Sequence, residues 1–257
     1  MNKLINKIWR IFATGVCFVV FGFGGLFLSL FIIPLQQLLV RDKNKQKKLA
    51  RKTVHYSFKF FIALMAFTGI FSFSLRKAQQ LKTIQGHLVL TNHPSLIDVV
   101  VLISIIPNAD CVVKTHLFKN IFLRGVVKNT GYISNADPEG LLRDCEASLA
   151  AGNNLIIFPQ GTRTMPEEAL HFQRGAANIA IRCQAKVTVV LLKVVPTTLT
   201  KLEPWYKVPA EKAHFSAEVI DKVPELLENA PAQISKNVRE YNRRLESFFI
   251  EELQKYE

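Results

Sequence analysis

The stretch HLVLTNHPSLIDVVVLISII, residues 87–106, changes character halfway along its length. HLVLT (87–91) has the length and composition of a strand, whereas SLIDVVVLISII (95–106) is too long and too evenly apolar for one and reads as a buried helix. The residues between them, Asn92, His93 and Pro94, form the turn. A strand that passes directly into a buried helix is the start of a β-α unit, and the same alternation continues downstream. CVVK (111–114) reads as a strand, and a segment around NIFLRGVV precedes the strand-like GYIS (131–134). PEGLLRDCEASLAAG (138–152) reads as a helix closed by Gly152, followed by the strand NLIIF (154–158). The helix GAANIAIRCQA (175–185), the strand VTVVLLKVV (187–195) and a polar amphipathic helix over 234–256 complete the series. This pattern predicts an α/β fold, a mostly parallel sheet covered by helices, over residues 81–257.

Residues 1–80 differ. Positions 11–40 contain no charged side chain, and roughly 20 apolar residues suffice for a helix to cross a hydrocarbon core. The apolar run exceeds the roughly 7–15 residues of a signal-peptide core and no small-residue cleavage site follows it, so it reads as an uncleaved anchor. A second apolar stretch, FFIALMAFTGIFSFSL at 60–75, is short for a span and reads as an interfacial helix or the second arm of a shallow hairpin. Phe58, Phe60, Phe61, Phe67, Phe71 and Phe73 read as membrane-facing side chains and as a border for an acyl-chain groove. The expectation is an N-terminal membrane-associated helical hairpin whose basic loop, 41–52, stays cytoplasmic. Spanning and monotopic insertion both fit this pattern.

The formal net charge of +13 is unevenly distributed. Residues 1–52 hold ten Lys and Arg against Asp42 alone, so the excess lies beside the apolar helix, as in segments held at an anionic leaflet. That placement disfavours a nucleic-acid binder, as does the lack of a zinc-finger or RNA-binding signature. Cys17, Cys111, Cys145 and Cys183 are scattered without metal-ligand or disulfide-framework spacing, which fits a reducing cytosolic setting and predicts no structural metal.

The turn at 91–98 admits two readings. In the first, Ser95 is an N-cap and Asp98 completes an approximate capping box near the positive end of the helix dipole. In the second, Asp98 accepts a hydrogen bond from one ring nitrogen of His93, fixes its tautomer and stabilises the imidazolium formed when the other nitrogen takes a proton. A second loop bears on the choice. IIFPQGTRT (156–164) leaves another apolar strand and enters a turn with Gly161, Thr162 and Arg163, which offers backbone N–H groups, a hydroxyl and a guanidinium fork to an anion. Both loops follow strands, and the expectation is that they converge at the carboxyl edge of one sheet, where α/β domains bind ligands.

The pair NHPSLID and FPQGTRT resembles the glycerolphosphate and lysophosphatidic acid acyltransferase superfamily, with its N-H-x-x-x-x-D and F-P-E-G-T-R blocks. FQRGAANIA (172–180) and Pro196 are similar to its later segments. The resemblance implies transfer of a fatty-acyl group from a coenzyme A or acyl carrier protein thioester to a hydroxyl, most directly that of 1-acyl-glycerol-3-phosphate in phospholipid biosynthesis. The setting it implies is the cytoplasmic face of the cell's inner membrane, with membrane lipids as partners and no cofactor beyond the thioester co-substrate. It makes His93 the general base, Asp98 its partner, and Gly161, Thr162 and Arg163 the acceptor-anion site; Gln160 in the same block and Lys114 at a strand end are further candidate substrate-binding residues.

The sequence also departs from the family pattern. Gln160 replaces the usual Glu, His116 stands two residues after Lys114 where relatives often have an acid, and Asn135 lies where an arginine is expected. These changes leave open a different hydroxyl lipid or a pigment-type acceptor, such as an aryl polyene lipid. A non-catalytic membrane lipid-binding protein is the alternative from another class. His55, His87, His171 and His214 lack a matching carboxylate pattern and read as structural or surface residues.

Overall fold

The computed structural model describes residues 3–165 and 168–255. It begins with a long apolar helix in which α1 (Lys3–Phe27) runs through a π turn (Leu28–Ile32) into α2 (Ile33–Leu39). Pro34 has no amide hydrogen to give and its ring crowds the preceding turn, which accounts for the widening. Asp42 caps α3 (Lys43–Phe67) by accepting from the Lys45 amide at 2.7 Å. α3 folds back on α1, with Phe21 of α1 packed on Phe58 and Phe61, so the N-terminal hairpin is a pair of helices; their connection is only residues 40–42, and residues 43–52 of the expected basic loop are the first turns of α3, started by the Asp42 cap. The hairpin is also joined to the rest of the chain by a buried ion pair. Arg51 of α3 donates to Asp110 at 2.7 Å and to the Thr130 carbonyl at 2.8 Å.

The stretch 60–75 does not form a second apolar arm. α3 ends at Phe67, Gly69 takes a left-handed conformation (φ 78°), and β1 (Phe71–Arg76) follows as a strand. The alternation Phe71-Ser72-Phe73-Ser74-Leu75 has the period of a strand, which the high apolar content of the whole stretch obscured. Phe61 and Phe71 are buried while Phe60 and Phe67 are exposed, so the phenylalanines expected to face the membrane divide between core and surface. The sheet therefore begins ahead of residue 81.

After β1 come α4 (Ala78–Leu81), β2 (His87–Thr91), α5 (Asp98–Ile105), β3 (Ala109–Val113), a 3-10 turn (Thr115–Phe118), α6 (Arg124–Thr130) and β4 (Ile133–Ser134). The chain continues through α7 (Pro138–Ala150), β5 (Asn154–Ile157), α8 (Arg174–Arg182), β6 (Lys186–Val195), β7 (Ala213–Ile220) and α9 (Ile234–Gln254). Residue 256 of the expected last helix lies outside the described residues. The strand order is β1-β7-β6-β2-β5-β3-β4, parallel throughout except for β6 with β7. β7 is absent from the expectation. Its inward residues, Ala213, Phe215, Ala217 and Val219, include two alanines and make a weak hydrophobic signal.

β2 is central and buried on both faces. Val89 belongs to the core shared with α3 and α5, while Leu88 and Leu90 belong to the core beneath α8 and α9. β2 and β5 are adjacent and parallel, with Leu90 opposite Ile157. The two turns singled out from sequence therefore leave the sheet side by side.

Candidate active site

Asn92, the first residue past β2, ties its turn to the neighbouring strand. Its amide donates to the Leu192 carbonyl at 2.7 Å and its oxygen accepts from the Leu192 N–H at 2.8 Å. His93 comes next, and Asp98 opens α5 at the foot of the same turn. One carboxylate oxygen of Asp98, Oδ2, accepts from His93 Nδ1 at 2.7 Å and from the Ser95 N–H at 2.8 Å. The two sequence readings are thus not exclusive, because one oxygen both organises the turn and holds the imidazole. Ser95 is not the N-cap. Its hydroxyl donates to the Thr198 carbonyl at 3.0 Å, and the helix begins at Asp98, three residues later than expected.

Asp98 is fully buried, and burial pushes its carboxyl above the usual carboxylate range, opposed by His93, the Ser95 N–H and Arg163. With Asp98 accepting, Nδ1 of His93 carries the hydrogen and Nε2 remains for the cavity described below. The ring stacks on Phe158 at 4.1 Å between centroids, which limits its rotation.

The second turn leaves β5 at Phe158. Gly161 sits at φ 69° and its N–H donates to the Phe158 carbonyl at 2.9 Å, a backbone conformation that a residue with a Cβ adopts with strain. Thr164 N–H donates to the His93 carbonyl at 2.9 Å, so the two turns are joined directly. Arg163 Nη1 donates to the carbonyls of Leu199 and Thr200, both at 2.8 Å, which fixes the guanidinium plane. Burial lowers the Arg163 pKa and the nearby Asp98 charge opposes that shift.

Both turns open on one cavity of about 490 Å³. Its polar side is formed by His93, Lys114, His116, Asn135, Gly161, Thr162 and Arg163. Its remaining walls are largely apolar and include Phe18 and Phe21 of α1, Phe58, Phe61 and Met65 of α3, Val100 and Ile103 of α5, and Val126 of α6. Gln160, expected among the ligand-contacting residues, does not line the cavity. It is buried behind the turn and donates to Thr164 Oγ1 at 3.0 Å, so it braces the backbone that carries Arg163. Lys114, by contrast, lines the cavity where β3 ends. Asn135 accepts from the Thr115 N–H at 3.2 Å and steadies the loop that presents Lys114 and His116. His55, His87 and His214 each bond to a neighbouring backbone or hydroxyl group and His171 lies beside Glu246, in keeping with structural or surface roles.

The anchoring carbonyls of Leu199 and Thr200 had no sequence signal. Phe158 lay within the recognised block but only the fold reveals its contact with His93. Chemically, the site pairs a histidine held in one tautomer with a fixed cation, above an apolar space large enough for a hydrocarbon chain.

Residues 72–196 match the family model described as Acyltransferase. Over 112 residues the chain is 34% identical to the 1-acyl-sn-glycerol-3-phosphate acyltransferase of Helicobacter pylori, covering 41% of this chain and 47% of that protein. A relative from Caenorhabditis elegans is 26% identical over 186 residues, 67% of this chain and 61% of its own length. The chain therefore spans about half to three fifths of the length of these curated relatives. Its fold is similar to the crystal structure of the 1-acyl-sn-glycerophosphate (LPA) acyltransferase PlsC from Thermotoga maritima, with a TM-score of 0.66, 18% identity and 98% of both chains covered.

Proposed function

We propose that the chain, whose residues 72–196 match the Acyltransferase family model, is a membrane-attached O-acyltransferase acting on 1-acyl-glycerol-3-phosphate. The observation that carries this reading is the shared cavity, with the His93–Asp98 pair and Arg163 on its polar side and hydrocarbon-lined walls beyond. The acceptor's phosphate binds Arg163 with help from Thr162, the Gly161 turn and Lys114. Its free hydroxyl then lies against His93 Nε2. As Nε2 takes the hydroxyl proton, the oxygen attacks the carbonyl carbon of a fatty-acyl thioester, and Asp98 stabilises the imidazolium that forms. The tetrahedral intermediate collapses with loss of the thiolate, which receives the proton from His93. The products are an ester and a free thiol, with coenzyme A or acyl carrier protein as the leaving group and no metal or redox cofactor in the scheme.

Membrane attachment is part of the same reading. The helix Leu4–Leu39 is long and apolar enough to cross a bilayer. Its contacts favour a position along one leaflet instead. Trp9 bonds the Thr68 carbonyl, Arg10 the Ala210 carbonyl, a Cβ on Gly25 would meet the Phe122 carbonyl at 2.9 Å, and one on Gly125 would meet Ser29 Cβ at 2.5 Å. A helix held along the α/β domain over that distance has no room for lipid on all sides. Both ends then stay with the basic first turns of α3 on the cytoplasmic face of the inner membrane, where Lys43, Lys45, Lys47 and Lys48 meet anionic headgroups.

The test is a panel of thioester donors, both coenzyme A and acyl carrier protein, against lysophosphatidic acid and unphosphorylated hydroxyl lipids. Turnover of lysophosphatidic acid that disappears in His93→Ala is the expected result. Turnover confined to the unphosphorylated acceptors would instead favour the hydroxyl-lipid alternative left open by Asn135 and His116.

A further inference from the structure

The segment between β6 and β7, residues 196–212, has a base and a tip with different surroundings. Its base is bonded to the catalytic rim. Thr198 O accepts from the Ser95 hydroxyl, Leu199 O accepts from the Leu96 N–H at 3.1 Å and from Arg163, and Thr200 O accepts from Arg163. Its tip carries apolar and aromatic side chains into solvent, with Leu202 82%, Trp205 43% and Tyr206 56% exposed. Leu202 also has φ 110°, far from the regions that side-chain-bearing residues prefer. An exposed leucine on a strained backbone gains nothing from packing within this chain, and strain of this kind collects where a surface has a task.

The tip is continuous with the apolar face of α1. The Trp205 ring lies 3.2 Å from where a Cβ on Gly15 would stand and 6.0 Å, centroid to centroid, from Phe18, and Arg10 bonds the loop at Ala210. Phe12, Val19 and Phe23 of α1 are exposed as well. Trp and Tyr favour the boundary between hydrocarbon and water, and Lys201 adds a cation suited to phosphate headgroups, while Lys207 is paired with Glu203 at 3.1 Å within the tip.

We propose that residues 201–207 form a second lipid-contacting element, which inserts into the same leaflet as α1 and, through the carbonyls at its base, couples membrane seating to the position of Arg163. The inference rests on the membrane-attachment reading given above. It assigns the β6–β7 loop a function in acceptor capture: a loop seated in lipid holds Arg163 at the level where the headgroup of a membrane-resident acceptor lies.

The full chain carrying Trp9→Phe has Trp205 as its single tryptophan. Mixed with vesicles of phosphatidylglycerol and phosphatidylethanolamine, it should sediment with them. Trp205 emission should shift to the blue and be quenched by lipids brominated near the headgroup. Sedimentation without shift or quenching overturns the inference and leaves membrane attachment standing; failure to sediment overturns both. A second variant, Leu202→Asp, changes an exposed side chain. It should raise the KM for a long-chain acceptor in vesicles roughly tenfold, the cost of losing one inserted leucine. Turnover of a short-chain, water-soluble acceptor should stay unchanged. Equal loss on both acceptors would indicate a structural role for the loop and overturn the coupling.

Discussion

Replacing Asp98 with Asn isolates the electrostatic part of the proposed mechanism. The side chain keeps its shape and an oxygen that still accepts from the Ser95 N–H, which Oδ2 of Asp98 now does at 2.8 Å. What disappears is the negative charge facing the imidazolium. At an effective dielectric near 20, two unit charges about 4 Å apart attract by ~4 kcal/mol. Losing most of that in the transition state lowers kcat roughly 10²- to 10³-fold. The stability effect has the opposite sign. Burial raises the Asp98 carboxyl in the folded state, so the group favours folding only while protonated, and that contribution is lost as pH rises through the folded-state value. The melting temperature of Asp98→Asn minus that of the wild type should therefore rise between pH 4 and neutrality. The assay is thiol release from the acyl thioester at saturating acceptor, with melting curves measured on the same samples. A variant whose kcat stays within about threefold of the wild type would refute the role given to the pair.

Arg163→Lys keeps a charge but loses the planar guanidinium whose Nη1 donates to the Leu199 and Thr200 carbonyls while its other nitrogens stay available to an anion; initial-rate kinetics should give a KM for lysophosphatidic acid raised about tenfold or more, with a smaller change in kcat. Arg51→Ala leaves Asp110 buried without its cation, and denaturant titration should register a loss of about 3–5 kcal/mol. Asn92→Ala frees both polar groups of Leu192 and should cost about 2–4 kcal/mol by the same titration. Burial holds the thiols of Cys111 and Cys145 up to about 12 and that of Cys183 up to about 11, so the native protein at pH 8 should leave these three unreacted by a disulfide reagent, whereas the unfolded chain should release four thiols.

The α/β alternation was legible because its strands and helices are buried and strongly apolar, as in 87–106, 154–158 and 187–195. β1 and β7 were harder to read, since one continues an apolar run begun by α3 and the other packs small residues inward. The ligand side of the site was legible in part. His93, Asp98, Gly161, Thr162 and Arg163 stand in two short blocks whose residue types suit proton transfer and anion binding, and adjacent parallel strands bring those blocks together. An amide next to a binding turn, as at Gln160, gives no sign in the sequence of facing inward, where it donates to Thr164. The clamp on Arg163 comes from the backbone of residues 199 and 200, and a carbonyl's position is set by the fold rather than by residue type.

In the proposed mechanism one ligand reaches both turns at once. A crystal structure of the full chain carrying Asp98→Asn, grown with lysophosphatidic acid, tests it most directly. Phosphate oxygens should lie against the Arg163 guanidinium and the glycerol hydroxyl within hydrogen-bonding reach of His93 Nε2, with the acyl chain among the aromatic residues of α1 and α3. A phosphate bound away from Arg163, or a hydroxyl facing away from the imidazole, would contradict it.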